Sequence, residues 1–287
     1  MSNNLNLFCG INSLGIPYTR DNTNHIGYFD IVASHYASKG YNVGKVNLCN
    51  IAKNRTFDLE EIFKNNTKYC DVRRNQYMCL KLVQQKNKAV GSLIPEEFPE
   101  MYLTKDVLDD ANVTDLYVNS INPVFMYSAG QNDFMTYIGT GPMELVDREV
   151  RAKLPSNLME LIIKSVAAVE KNWQFLISLN PSVKIYAYNM FYAPLFDTIQ
   201  QEIFRQNKEL NPNLMYVNKI KLLIDLFNSE LAKRSKQYEN VELIDVSVIG
   251  NYMSPGDFHP TYEGNQILAQ MTIKTIDEKL IGNENVR

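Results

Sequence analysis

The chain is 287 residues long, 45% apolar and 21% charged, with a formal net charge of −3. That length carries one large α/β domain or two small ones. Lysines and arginines are dispersed, so there is no basic footprint for nucleic acid or an anionic membrane surface. No stretch approaches the ~20 apolar residues that a membrane span requires.

Strand and helix patterns alternate along the sequence. Leu5–Cys9 is a short apolar run with strand character. Ile26 to Ser38 carries Ile26, Phe29, Ile31, Val32 and Tyr36 on a rough helical face, and Gly40 closes it. Val43–Leu48 reads as a second strand. Asp58 opens a helix with acidic residues suited to the macrodipole. Asp71 to Lys88 reads as another helix, and Pro95 and Pro99 break the pattern that follows. The stretch from Cys70 to Asn122 is long for one connection, so it either covers the functional edge or pads the side of the sheet.

Val124–Ser128 is a third strand. Ser156 is placed to cap a long helix with apolar positions Leu158, Leu161, Ile162, Val166, Val169, Trp173, Leu176 and Ile177, which form one stripe in steps of three and four. Asn180-Pro181 ends it. Val183–Tyr188 is a fourth strand, and aromatic residues cluster at and after it. Val217 to Lys233 is amphipathic, with Lys233-Arg234-Ser235-Lys236 as its polar end. Val241–Val246 is a fifth strand, and Thr261 is placed to cap a last helix. Such alternation predicts a parallel sheet with helices on both faces: a three-layer α/β/α sandwich of about five strands. No composition break or internal repeat divides the chain, so residues 1–287 read as a single domain with a helical insertion at about 70–120.

Three loops carry candidate chemistry. Ser13 lies in Gly10-Ile11-Asn12-Ser13-Leu14-Gly15, just after the first strand. Flanking glycines allow a sharp turn that lifts a hydroxyl out of the sheet edge and exposes a backbone N–H. Asn132 lies in Gly130-Gln131-Asn132-Asp133, just after the third strand. His259 lies in Gly256-Asp257-Phe258-His259-Pro260. There are only three histidines. His25 sits in a polar loop and His35 within a helical pattern, whereas His259 precedes a proline that fixes the chain. A hydroxyl, an imidazole whose ordinary pKa lies near 7, and an amide donor together suit nucleophilic attack on an ester carbonyl. Taken singly, each has an alternative without chemistry: Ser13 as a loop residue, Asn132 as a turn residue, His259 as a cap of the last helix.

Serine early, Gly-x-Asn-Asp in the middle and Asp-x-His-Pro late resembles the SGNH/GDSL hydrolase family, over nearly the whole chain. The resemblance implies a flavodoxin-like fold and a serine esterase working through an acyl-enzyme on a small-molecule, carbohydrate or lipid ester. It implies Ser13 as nucleophile, His259 as base, and Asn132 with the Ser13 N–H as oxyanion donors. Gly130 and Asp133 would support the substrate-binding loop. It implies no cofactor and no metal. The chain departs from the family pattern in three places. Ile11-Asn12-Ser13-Leu14 stands where the family has Gly-Asp-Ser-Leu. Gly256 stands three residues before the histidine, where the orienting acid usually lies. Ala52 or Lys53 stands where a glycine after the second strand usually supplies another oxyanion N–H. Asp257, two before His259, points to the same side in an extended segment and is the candidate orienting acid; otherwise Asp257 braces the turn and a main-chain carbonyl holds the ring.

The rival readings are an acyltransferase using the same site, a binding protein on the same fold that has lost catalysis, and a flavodoxin-like cofactor module, for which the sequence has no phosphate loop. The N-terminus has neither a basic region nor a long apolar run. The four cysteines, Cys9, Cys49, Cys70 and Cys79, are scattered without metal-ligand spacing. A reduced, cytoplasmic protein is therefore expected, with a small-molecule ester as partner and no nucleic acid.

Overall fold

The computed structural model describes residues 4–11, 26–47, 117–128, 158–194, 196–198, 201, 216–253 and 259–284. Five strands form one sheet: β1 (Asn4–Ile11), β2 (Asn42–Asn47), β3 (Val124–Ser128), β4 (Lys184–Tyr188) and β5 (Val241–Ile244). Their order is β2-β1-β3-β4-β5, and every pairing is parallel. Among the described residues, four long helices accompany them: α1 (Tyr28–Ser38), α2 (Leu158–Leu179), α3 (Tyr216–Ser235) and α4 (Tyr262–Glu284). A short 3-10 helix spans Ser247–Tyr252. The expected helices opening at Asp58 and spanning Asp71 to Lys88, and the insertion at about 70–120 up to residue 116, lie outside the described residues.

The register explains why the strands are continuous apolar runs. Side chains alternate across a strand, and helices cover both faces. Phe8, Phe125 and Tyr127 point to the side of α2: Tyr127 Oη accepts a hydrogen bond from Asn172 Nδ2 at 2.9 Å, and its ring meets Trp173 edge-on at 6.4 Å. Cys9 and Tyr188 point to the opposite side, toward α1 and α4. Cys9 Sγ lies 3.2 Å from Tyr28 Oη, and Tyr188 Oη lies 2.9 Å from Thr272 Oγ1. All five residues of β3 are buried, as a central parallel strand requires.

The sequence stripe on α2 is the stripe that packs: Ile162, Val166, Val169, Trp173 and Leu176 are buried. Against it lies α3, tied at the surface by Arg234, which reaches Glu170 at 2.6 Å and Glu230 at 2.9 Å. At the amino edge of the sheet, buried Asn180 ends α2. Its amide donates to the carbonyls of Tyr117 (3.0 Å) and Ser120 (2.9 Å), and its oxygen accepts from the Ser182 N–H and hydroxyl.

Two boundaries fall two residues short of the sequence expectation. Helix α1 starts at Tyr28, with Gly27 as an extended N-cap, and Ile26 precedes it exposed. Strand β5 ends at Ile244 because Asp245 turns the chain, accepting hydrogen bonds from the N–H and hydroxyl of Ser247. At the other end of α1, Gly40 takes φ +86° and closes the helix as expected: the Tyr41 N–H reaches the Tyr36 carbonyl and the Gly40 N–H that of Ala37.

Gly250 is required by close approach. A Cβ on Gly250, in the 3-10 helix, would run into the carbonyl oxygen of Tyr192 in the segment after β4. Backbone lies on both sides, so neither can yield cheaply. Gly250→Ala is expected to cost about 1–3 kcal/mol, the range of core overpacking, read as a lower urea midpoint at unchanged m-value.

Candidate active site at the carboxyl edge of the sheet

The strand order reverses direction between β1 and β3. From β1 the chain crosses to β2 on one side; β3, β4 and β5 run the other way. In open α/β sheets this reversal leaves a crevice outside the carboxyl ends of the two central strands, where ligands bind. Ile11 and Ser128, the last residues of β1 and β3, are register partners there. Ser13 follows Ile11 by two residues, and Asn132 follows Ser128 by four. Ser13, Asn132, Gly130, Asp133, Asp257, Ala52 and Lys53 themselves lie outside the described residues.

His259 is described and half-buried. The chain behind it is firmly held. Pro260 forms an isolated antiparallel bridge with buried Met253. The Thr261 N–H and hydroxyl both donate to the Tyr252 carbonyl, at 2.8 and 3.0 Å. Thr261 also caps α4, its hydroxyl accepting the Gly264 N–H at 3.1 Å. The cap is therefore threonine, as its position suggested. Gly264 permits the tight fit: a Cβ there would come within 2.7 Å of the Tyr252 carbonyl and 3.0 Å of Pro260 Cβ.

A line of polar contacts joins this turn to β1, far away in sequence. Asn265, fully buried, donates through Nδ2 to the carbonyls of Pro260 (3.3 Å) and Thr261 (3.0 Å). Its Oδ1 accepts the Tyr28 N–H, the first of α1, at 2.9 Å. Tyr28 in turn reaches Cys9 on β1. The described residues on either side of Ser13 in sequence are β1 and the start of α1, and Asn265 bonds that helix start to the turn of His259. Sequence reasoning missed Asn265. Its only local signal is a polar residue in the first turn of a helix.

The exits of β4 and β5 are locked to each other. Asn189 donates its N–H to the Ile244 carbonyl at 3.3 Å, accepts the Val246 N–H at 2.8 Å and donates Nδ2 to Asp245 at 2.8 Å. Asn228 of α3 brackets Met190 with two hydrogen bonds of 2.8 Å. Hydrogen bonds from the Ser247 hydroxyl and then the Ser247 N–H hold the Asp245 carboxyl below the usual aspartate range, against partial burial and with help from Asn189. Its contribution to stability is therefore present at neutral pH and is lost as the pH falls through the ordinary aspartate value, about 4, toward the depressed folded value. Asp245→Asn is expected to lower Tm at neutral pH, with the difference from the parent closing below about pH 4; thermal melts across pH check this.

Among the described residues, no group of three or more His, Cys, Asp or Glu side chains could hold a metal ion, and no helix is long and apolar enough to cross a membrane.

Strand order and pairing define a doubly wound, flavodoxin-like α/β protein. No protein-family description matches the sequence, and no curated protein matches it. Among solved structures, the chain is similar to a protein described as a GDSL-like lipase from Parabacteroides merdae, at 14% identity and TM-score 0.48, covering 95% of this chain and 94% of that one. It is similar to the lipase Lip_vut3 from a goat rumen metagenome, at 11% identity and TM-score 0.49, covering 94% and 95%. It is also similar to the acetyl xylan esterase Est2A from Butyrivibrio proteoclasticus, at 14% identity and TM-score 0.48, covering 97% of this chain and 64% of that one.

Proposed function

We propose that the chain is a carboxylic ester hydrolase working through an acyl-enzyme on Ser13. The observation that carries this reading is the anchoring of the His259 turn to the entrance of α1, and through Tyr28 to β1. Residues 13 and 259 are far apart in sequence, yet the segments flanking them are bonded together beside the reversal of strand order. The Gly130-Gln131-Asn132-Asp133 motif follows the other strand of that crevice.

In the proposed reaction, Ser13 Oγ adds to the ester carbonyl carbon while His259 takes the hydroxyl proton. The tetrahedral oxyanion is held by the Asn132 amide and the Ser13 N–H. The bond to the leaving oxygen breaks, and His259 returns the proton to form the free alcohol. Water then adds to the acyl-enzyme by the same route, releasing the acid and regenerating Ser13. Asp257 orients the imidazole and stabilises its charged form.

Incubation with p-nitrophenyl acetate and butyrate tests this reading. The reading requires steady release of nitrophenol and free acid. Folded protein that releases neither overturns it. Added alcohols separate the acyltransferase alternative, since a transferase forms the new ester in preference to the free acid.

A further inference from the structure

We propose that Asn265 is a positioning residue for catalysis, aligning His259 with the loop that carries Ser13; this rests on the esterase reading above. The argument starts from burial. A fully buried amide must satisfy its donors and its acceptor or cost stability. Asn265 does so by bonding two segments far apart in sequence. One is the Pro260-Thr261 peptide, directly after His259. The other is the first N–H of α1, whose own N-cap, Gly27, has no side chain to offer it.

The placement gives the amide a consequence beyond stability. Residues 12–27 lead in sequence to Tyr28, and the His259 turn ends at Pro260. One side chain therefore bonds the residue that follows the nucleophile's segment to the peptide that follows the base, beside the Asp277 bonds to Tyr36 and Lys39 that join the same two helices farther along. Proton transfer from Ser13 to His259 depends on the spacing between them, and a shift of about 1 Å in a reacting group can lower a rate about 100-fold. Asn265 touches neither substrate nor reacting atoms. It acts through the turn.

Asn180 provides a matched control. It too is a buried asparagine joining distant backbone, but at the amino edge of the sheet. The experiment compares Asn265→Ala with Asn180→Ala, measuring Tm, kcat and KM on p-nitrophenyl acetate, and the rate at which a fluorophosphonate labels Ser13, all well below each variant's Tm. Both variants are expected to melt at lower temperature. Asn265→Ala alone is expected to lose kcat, about 10- to 100-fold, with KM little changed and labelling slowed in step. Should Asn265→Ala not fold, Asn265→Asp carries the test: it keeps the volume and the acceptor for the Tyr28 N–H while an ionised carboxylate loses the donor to Pro260, and it is expected to lower kcat as well. Parental kcat and labelling in a folded Asn265 variant would overturn the positioning role and leave the esterase reading intact. Absence of turnover and labelling in the unsubstituted protein overturns both.

Discussion

Replacing Ser13 with alanine is expected to abolish ester turnover, lowering kcat by about 10⁴- to 10⁶-fold, the scale seen when a serine nucleophile is removed. The change deletes one oxygen. If that oxygen is the attacking atom, no acyl-enzyme forms, and only binding and the oxyanion donors remain to accelerate hydrolysis. KM should change little, because the hydroxyl contributes to the transition state rather than to ground-state binding. The fold should persist, with Tm close to that of the parent. Steady-state kinetics beside a thermal melt separate the outcomes: a folded variant that retains turnover removes Ser13 from the mechanism.

His259→Gln should fall by a similar factor, and the local structure makes this a clean test. Neighbours help hold the segment in place: Pro260 makes the bridge to Met253, and Thr261 bonds Tyr252 and caps α4. Glutamine at 259 should therefore leave the protein folded while removing the base. A histidine serving only packing would give the opposite pattern, lost stability with retained rate. The double variant Ser13→Ala/His259→Gln adds a sharper constraint. Residues that act as one unit are strongly non-additive, so the double variant should be no slower than the worse single one. Losses that multiply would mean that the two side chains act independently.

The sheet was largely legible in the sequence because central parallel strands are buried on both faces and read as apolar runs. Leu5–Cys9 and Val124–Ser128 fall on β1 and β3, and the α2 stripe packs as its spacing predicts. Misjudged boundaries share one cause, polar hydrogen bonds that hydrophobic patterning does not register. Ile26 looked like the first turn of α1, yet the helix begins where Asn265 accepts the Tyr28 N–H. Val246 looked like strand, yet Asp245, Ser247 and Asn189 turn the chain before it. For the site, the position of His259 in a pinned turn was legible from Pro260, and the cap from Thr261. The bond from Asn265 to Tyr28 was not, because it joins residues 237 positions apart, and nothing local in either segment announces the other.

The most direct test of the account is covalent labelling of the folded protein with a fluorophosphonate, followed by mass spectrometry of the modified peptide. Phosphonylation requires a hydroxyl activated by a neighbouring base. The account predicts a single adduct on Ser13, present in the parent protein and lost in His259→Gln. No adduct at Ser13, or an adduct there formed at the same rate without the imidazole, would contradict it.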